Sequence, residues 1–508
     1  MIRETQTETG LVRGIPAADP RITVFRGIPF AAPPVGENRW RAPQSASPWE
    51  GVRDCARFAP ISMQETPGTG GGLYDKEWHV DPDIPMDEDC LYLNVWTPAR
   101  TVEERLPVMV WIFGGGMTCG YPAEMEFDGE RLARRGVVLV SVNYRLNAFG
   151  FLAHPELTKE ADEGYATNFG LLDQRAGIAW VKRNIENFGG DPENITVFGQ
   201  SAGGRSTLMQ TVSPMNRGLF QRAIVQSGAL DAGIARYPDL SAAEAAGEAF
   251  LSVLGVKTIA EARALPARVV LDKALHGCTH RWGPVIDGCY LPGTPAEMFA
   301  AHLENNVDMM AGCTPDEVKG LRPVRDWTQF REKMEPVYGP WFGRLDSLTH
   351  VHSPEELDAF YHSVGFNTFE IGNHYIAQKR MEQGKKTYLY RFCPVIPGDD
   401  AGVFHSSDLW FMFETLAKCW RPFRGEHYDL ARRMCTYWAN FARTGNPNGL
   451  DNDGQPLPCW EPTEADQWKI MRLNEAPVTL AEAMDPLLSL EMERLDAASQ
   501  RFVGQDTP

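Results

Sequence analysis

A serine in a short, glycine-flanked motif is the first candidate for chemistry in this sequence. Residues 199–203 read Gly-Gln-Ser-Ala-Gly, which fits the G-x-S-x-G pattern, and an apolar stretch at 195–198 precedes them. In this pattern the serine stands on a sharp strand-to-helix turn, and glycines on either side leave room for the crowded backbone. The turn exposes the hydroxyl and directs a helix N-terminus at negative charge that develops beside it. We therefore predict that Ser201 is a nucleophile.

Three consecutive glycines form a second candidate element. They occupy positions 114–116 and close an apolar run at 106–113. Because glycine has no side chain, such a loop can bring backbone N–H groups close to a substrate. Donors of this kind stabilise the oxyanion of a tetrahedral acyl-transfer intermediate. We predict an oxyanion hole formed by the N–H groups of Gly115, Gly116 and Ala202.

The elements that must position these motifs follow an alternating pattern. Apolar runs of strand length predict strands at 106–113, 136–143, 195–198, 222–226, 307–311 and 386–392. A helix is predicted from a cap at Asn168 to a stop at Gly189, because apolar residues recur on one helical face. These residues are Leu171, Ile178, Val181, Ile185 and Phe188. Strands that alternate with helices indicate an α/β fold, with a mostly parallel sheet and helices on both faces.

The domain organisation is predicted to be simple. No linker-like segment divides the chain, so we predict one domain over residues 1–508. The stretch at about 235–380 is rich in helix-forming sequence, and we expect an insertion or cap within that domain. Since ligand sites of α/β folds lie at the carboxyl edge of the sheet, we expect this cap to cover that edge.

The charge balance excludes several partners. The chain has 49 lysine and arginine residues against 67 aspartate and glutamate residues, a net charge of −18. A surface so negative repels phosphate backbones and anionic lipid headgroups, so neither nucleic acid nor membrane is a predicted partner. The polar N-terminus and the absence of long apolar runs predict a cytoplasmic protein, although a chain trimmed of a signal peptide would look the same.

Several longer segments match one family pattern in the same order. They are FRGIPFA at 25–31, PPVG at 33–36, EDCLYLN at 88–94, NYR at 143–145, NFGLLDQR at 168–175, FGGDP at 188–192 and NFARTGNPN at 440–448. Together with the serine motif they span nearly the whole chain. The chain thus resembles the type-B carboxylesterases, a family that includes cholinesterases and p-nitrobenzyl esterases. The resemblance implies an α/β-hydrolase fold and a serine esterase.

The resemblance also implies a general base. The family histidine lies in a Gly-x-x-His pattern after a late strand, and residues 402–405 read Gly-Val-Phe-His. This match assigns the base to His405, which would take the serine proton.

The acid is implied in the same way. The family pattern Gly-x-x-x-Asp-Glu matches residues 312–317, which assigns Glu317 as the group that orients the imidazole and stabilises the imidazolium. Asp316 and Asp408 remain alternatives. The chain order of serine, acid and histidine is that of α/β-hydrolases.

Supporting residues carried over from the family are structural. Ser227 is expected beside the triad, and two ion pairs are expected, Arg39–Glu88 and Arg145–Asp173. Buried charges need partners, so these pairs would stabilise the scaffold.

Departures from the family pattern bear on specificity and on compartment. Gln200 stands where the family often has Glu, which removes a negative charge and weakens the case for choline esters. Phe113 precedes the three glycines, and Met117 follows them as an expected apolar wall. Ser62 replaces the cysteine that secreted members pair with the counterpart of Cys90, which favours a reducing compartment.

These observations predict a serine carboxylesterase that acts on small neutral esters, short-chain or aromatic, with no cofactor and no metal. A lipase, amidase or lactonase on the same triad is the alternative, and a non-catalytic binding module is an alternative of another class. The mostly polar stretch at 60–90 argues against a lipase lid, and Trp78 within it could line the pocket. The natural substrate and the oligomeric state are left open.

Overall fold

The computed structural model describes residues 1–161, 164–229, 237–317, 326–349, 351, 353–464 and 467–504. The strands are β1 Glu4–Thr7, β2 Gly10–Arg13, β3 Ile15–Pro16, β4 Thr23–Pro29, β5 Val52–Asp54, β6 Tyr92–Thr97, β7 Leu106–Ile112, β8 Val138–Val142, β9 Gly190–Gln200, β10 Arg222–Gln226, β11 Asp308–Cys313, β12 Thr387–Phe392, β13 Trp468–Leu473 and β14 Val478–Glu482. The helices are α1 Leu73–Glu77, α2 Glu130–Ala133, α3 Asn147–Phe151, α4 Pro155–Glu160, α5 Phe169–Asn184, α6 Ala202–Val212, α7 Leu240–Leu254, α8 Ile259–Arg263, α9 Ala267–His276, α10 Pro295–Ala300, α11 Trp327–Tyr338, α12 Phe342–Thr349, α13 Pro354–Tyr361, α14 Thr368–Glu382, α15 Leu409–Met412, α16 Gly425–Thr444 and α17 Pro486–Ala498.

A large mixed sheet organises these elements. Its strand order is β14-β13-β12-β11-β10-β9-β7-β8-β6-β4-β3, and β1, β2 and β5 form a separate small sheet. The strands from β8 through β13 pair in parallel, whereas β14, β6, β4 and β3 pair antiparallel at the two sides. Helices cover both faces of the sheet. The predicted α/β architecture is confirmed.

Strand register places the two glycine-rich motifs side by side. Ile112 at the end of β7 pairs with Gly199 near the end of β9, and Gln200 pairs with Gln226 at the end of β10. Gln226 in turn pairs with Gly312 near the end of β11. Because all these strands run parallel, the loops that follow them open at one edge of the sheet.

The predicted strands are found, and all but β9 differ only slightly in length. The predicted strand 222–226 coincides with β10, while β9 begins five residues before the predicted 195–198. The early part of β9 has the polar sequence Asp-Pro-Glu-Asn, which carries no apolar signal. The pairing of β9 with β7 nevertheless extends to Gly190, which is the register partner of Leu106.

The predicted helix is also found, with α5 ending at Asn184 and a 3-10 helix over Ile185–Phe188 completing the predicted span. Asn168 acts differently from the expected cap. It stands at the N-cap of α5, yet it has φ 56° and its side chain makes no capping bond. Its amide instead donates to the Val285 carbonyl at 2.8 Å and accepts from the Val285 N–H at 2.9 Å. Asn168 therefore ties a distant segment to the helix, a contact that local sequence does not encode.

The region predicted as a cap contains α7 to α14 together with β11. Part of it packs as a separate apolar cluster that includes Phe330, Leu345, Leu357 and Phe360. In the part of the chain that the structure describes, no helix combines the length and apolarity that a bilayer crossing requires.

Candidate active site

Ser201 occupies the sharp turn between β9 and α6. Its backbone has φ 58° and ψ −124°, a conformation that costs a non-glycine residue about 1–3 kcal/mol. Two hydrogen bonds hold it there: the Ser201 N–H donates to the Gln226 carbonyl at 2.9 Å, and the Arg205 N–H donates to the Ser201 carbonyl at 2.8 Å. The strain is thus fixed by β10 on one side and by the first turn of α6 on the other.

The motif glycines allow this turn to lie against β7. A Cβ placed on Gly203 would stand 2.0 Å from the Ile112 carbonyl oxygen, and one on Gly199 would stand 2.4 Å from the Gly203 backbone. Both contacts involve backbone atoms that cannot rotate away. The glycine spacing of the motif therefore has a steric cause in the neighbouring strand.

We expect Gly203→Ala to destabilise the protein by more than the 1–3 kcal/mol that is usual for overpacking, because the added methyl group meets fixed backbone. Thermal unfolding and ester hydrolysis measure the effect. The matched control is Gly343→Ala on the exposed face of α12, where a Cβ meets nothing within 4 Å. An unfolding temperature of Gly203→Ala equal to that of the control would contradict the steric argument.

The structure brings together the three side chains that the sequence assigned to catalysis. The Ser201 Oγ lies 2.7 Å from the His405 Nε2, and the His405 Nδ1 hydrogen-bonds to the Glu317 Oε2. The other oxygen of Glu317 accepts from the Ser227 hydroxyl at 2.5 Å and from the Thr314 N–H at 2.8 Å. Since an ionised carboxylate only accepts, the imidazole carries its proton on Nδ1 and leaves Nε2 free to accept from Ser201.

The two alternative acids contact other groups. Asp316 accepts from the Val403 N–H at 2.8 Å. Asp408 accepts from the Gln226 amide at 2.9 Å and from the Tyr390 hydroxyl at 3.3 Å. Burial raises the pKa of Asp408 to about 6. Both carboxylates brace the loops around the histidine, and Glu317 is the one bonded to its ring.

The three glycines follow β7, and the first of them approaches the serine turn. Gly115 has φ 104° and Gly116 has φ 65°, and both line the same cavity as Ser201. A Cβ on Gly114 would approach the Gln200 carbonyl oxygen to 2.8 Å and the Ser201 Cβ to 3.1 Å. A side chain at Gly114 would therefore separate the loop from the nucleophile.

A cavity of about 380 Å³ opens above the serine. One wall comes from residues 64–79, where Trp78 stacks on Tyr74 at 5.4 Å between ring centroids and on Phe404 at 6.5 Å. The idea that Trp78 lines the pocket is thus correct. Phe369 of α14 stacks on the His405 ring at 5.3 Å, so the helix-rich region reaches the site.

Sequence reasoning missed a buried ion pair that holds this wall in place. Glu77, at the end of α1, accepts from the Arg421 guanidinium at 2.8 Å and from the indole N–H groups of Trp410 and Trp420 at 3.2 and 3.1 Å. Neither member of the pair stands in a recognised motif. Chain separation of more than 330 residues leaves no local signal for it.

Of the supporting residues, Gln200 lies in the cavity, whereas Met117 lies in the core. Gln200 lines the cavity with its amide nitrogen 3.5 Å from the His405 Nε2. Met117 is fully buried, and its sulfur lies 3.9 Å from the Ser206 hydroxyl. The expectation that Met117 forms a pocket wall is wrong, because its side chain is packed into the hydrophobic core. Its backbone has a positive φ of 66°.

The two predicted ion pairs are present; Arg145–Asp173 is buried, and in Arg39–Glu88 the carboxylate is half-buried. Arg39 and Glu88 form a bidentate pair with both contacts at 2.6 Å, and Arg145 and Asp173 form one with both at 2.7 Å. Removing one partner of such a pair typically costs about 3–5 kcal/mol. The pairs fix loops on the carboxyl side of the sheet and take no part in the chemistry.

Comparison with known proteins now places the chain. The sequence model of the Carboxylesterase family matches residues 2–335 and 328–487. The chain belongs to the carboxylesterase family. It is 31% identical to the fumonisin B1 esterase of Sphingopyxis macrogoltabida over 464 residues, which cover 88% of this chain and 83% of that protein.

Further carboxylesterase relatives agree with this placement. The chain is 32% identical to the acetylcholinesterase of Bungarus fasciatus over 527 residues, covering 94% of this chain and 83% of that protein. Among solved structures, carboxylesterase EST55 of Geobacillus stearothermophilus superposes with a TM-score of 0.79 at 30% identity, covering 96% of this chain and 99% of that one. The fold is that of the α/β-hydrolase esterases, and the protein is a carboxylic ester hydrolase.

Proposed function

We propose that this carboxylesterase hydrolyses small neutral esters, with short-chain or aromatic acyl groups, through an acyl-enzyme on Ser201. The observation that carries the proposal is the hydrogen-bonded series Ser201–His405–Glu317. Its serine end lines a cavity of about 380 Å³. Nucleophile, base and orienting acid are thereby in bonding distance before substrate enters.

The first half of the reaction follows from this geometry. His405 Nε2 accepts the proton of the Ser201 hydroxyl while the oxygen attacks the ester carbonyl carbon. The carbonyl oxygen becomes an oxyanion, which the N–H groups of Gly115, Gly116 and Ala202 stabilise. When the tetrahedral intermediate collapses, the imidazolium gives its proton to the leaving alcohol and the acyl-enzyme remains.

Water completes the cycle by the same steps. His405 accepts a proton from water as the oxygen attacks the acyl carbon, and collapse releases the acid and restores the Ser201 hydroxyl. Glu317 stabilises the imidazolium in both halves without taking the proton. The bond from Ser227 keeps the Glu317 carboxylate aimed at the ring.

The cavity supports the substrate class. Its volume matches a small ester, and the Tyr74–Trp78 wall offers an aromatic surface next to the nucleophile. Both neighbours of the serine within its motif, Gln200 and Ala202, are uncharged. The stretch 64–70 on the rim is mainly polar, which does not favour an interfacial lipase.

A panel of p-nitrophenyl esters of graded acyl length, with p-nitrophenyl benzoate as the aromatic member, tests this proposal. We expect kcat/KM to be highest for short and aromatic acyl groups and to fall as the chain outgrows the cavity. A maximum at long-chain esters presented as an emulsion would instead favour the lipase alternative. Equal rates for matched amides would favour an amidase.

The pH dependence should follow His405. Burial disfavours its charged form, but the Glu317 carboxylate outweighs this effect and raises the pKa of His405 above the ordinary 6.5. The base must be neutral, so activity is absent below this pKa and present above it. We expect kcat/KM to rise with pH in one step whose midpoint lies above 6.5. An acid limb centred well below that value would argue against His405 as the base.

Gln200 should set the response to charged substrates. Introducing a carboxylate with Gln200→Glu, next to the His405 ring, should stabilise the imidazolium and move the acid limb to higher pH. It should also raise kcat/KM for acetylcholine over 3,3-dimethylbutyl acetate, its neutral isostere, by roughly tenfold. The measurement is the ratio of the two esters in the parent and the mutant. A strong choline preference in the parent would contradict the role given to Gln200.

Cellular location and partners belong to the same proposal. A reducing compartment such as the cytoplasm is supported by Cys90, which is a buried free thiol with Ser62 at the position of the family's pairing cysteine. Burial raises the pKa of Cys90 to about 12, so the thiol is inert. The partner that the site supports is a small-molecule ester.

A further inference from the structure

A second group of reactive side chains lines the ester cavity and has no part in the proposed reaction. The Cys119 Sγ lies 3.9 Å from the His79 Nε2, and the His79 Nδ1 lies 3.3 Å from the Glu124 Oε1. All three residues line the cavity that contains Ser201. The arrangement has a thiol, an imidazole and a carboxylate in the order that activates a cysteine nucleophile.

The charges in this group favour a reactive sulfur. Burial disfavours the charged form of His79, but the Glu124 carboxylate and the Cys119 sulfur outweigh it and raise the pKa of His79 to about 11. The neighbouring Glu126 is fully buried, and burial together with Glu124 raises its pKa well above the usual range. His79 is therefore an imidazolium at neutral pH. A cation beside a partly exposed sulfur is the environment that is typical of reactive cysteines.

The Cys119 sulfur lies next to the glycine loop, where a modification can affect ester hydrolysis. Cys119 is partly exposed to the cavity, and its N–H and thiol both lie against the Gly115 carbonyl, at 3.0 and 3.3 Å. Gly115 belongs to the loop assigned to the oxyanion. A Cβ on Gly115 would stand only 3.1 Å from the Cys119 sulfur, so the sulfur packs closely against Gly115. A group attached to the sulfur therefore has no free space on the Gly115 side.

We propose that Cys119 is a covalent modification site for small soft carbon electrophiles, such as haloacetamides, that enter the ester cavity. The thiol gives its proton to water, and the thiolate, paired with His79, attacks the electrophilic carbon. The S–C bond forms, the carbon–halogen bond breaks, and halide leaves with the bonding electron pair. The thioether occupies the part of the cavity next to Gly115, which blocks ester hydrolysis. The block rests on the proposed function, whereas formation of the thioether does not.

The experiment treats the full-length protein with excess iodoacetamide at pH 7 and maps the alkylated cysteines by mass spectrometry over time. The reference is Cys459, an exposed cysteine outside the cavity lining. We expect Cys119 to react at least about tenfold faster than Cys459, as for thiols paired with a cation. Loss of ester hydrolysis should follow the occupancy of Cys119.

Three variants sharpen the result, each compared with its own starting activity. Cys119→Ser should resist inactivation by iodoacetamide, Cys459→Ser should be inactivated like the parent, and His79→Asn should slow alkylation of Cys119 severalfold. Alkylation of Cys119 no faster than that of Cys459, or full activity after complete alkylation, would overturn the proposal. Untreated protein without esterase activity and without fluorophosphonate labelling would instead refute the proposed function, and the alkylation rates of the parent would still decide the thiol site.

Discussion

Ser201→Ala is expected to fold like the parent and to lose nearly all esterase activity, with kcat reduced by roughly five to six powers of ten. The reason is that the acyl-enzyme needs the Ser201 oxygen, while the oxyanion donors and the cavity remain. Alanine fits the same turn, because the strained backbone is held by its N–H donating to Gln226 and its carbonyl accepting from Arg205, and neither bond involves the hydroxyl. Steady-state hydrolysis of p-nitrophenyl acetate and covalent labelling by a fluorophosphonate measure the loss.

The matched control is Ser406→Ala, which removes another hydroxyl from the same cavity. This variant should keep fluorophosphonate labelling and most of its activity. Circular dichroism and thermal unfolding of Ser201→Ala should match the parent, which separates a chemical defect from a folding defect. Labelling that persisted in Ser201→Ala would show that another residue is the nucleophile.

Glu317→Gln is expected to reduce kcat by roughly four powers of ten. A neutral amide can present its NH₂ group to the His405 Nδ1, which favours the wrong tautomer and leaves the imidazolium without a counter-charge. Because Glu317 raises the pKa of His405, the remaining activity should also show an acid limb at lower pH than the parent. The measurement is kcat/KM as a function of pH for both proteins.

Asp316→Asn provides the control, since it neutralises the adjacent carboxylate. The asparagine oxygen can still accept the Val403 N–H that Asp316 now binds at 2.8 Å, so a loss of less than about tenfold is expected. If Asp316→Asn or Asp408→Asn proved to be the damaging change, the assignment of the acid would move to that residue.

Much of the site could be predicted because its parts are locally encoded. The strands β7, β8, β10 and β12 can be predicted from runs of hydrophobic residues. The serine turn can be predicted from two glycines, because their lack of side chains leaves room for the β7 backbone. The acid and the histidine required more than local patterns. The family resemblance assigns them, and only the contact with His405 distinguishes Glu317 from Asp316 and Asp408.

The nucleophile motif, the glycine loop, most of the strands and the order of the candidate catalytic residues can all be read from the sequence. Four features emerge only once the chain is folded: the carboxylate that contacts His405, the burial of Met117 in the core, the cavity wall formed by residues 64–79, and the contact between Cys119 and His79. The two groups of features differ in the distance along the chain over which the responsible interactions act. Hydrophobic periodicity and turn sterics act over a few residues, whereas the Glu317–His405 contact joins positions 88 residues apart and the Ser201–His405 contact joins positions 204 apart. Such contacts depend on loop paths that are set by packing of the whole sheet, and no local pattern records them.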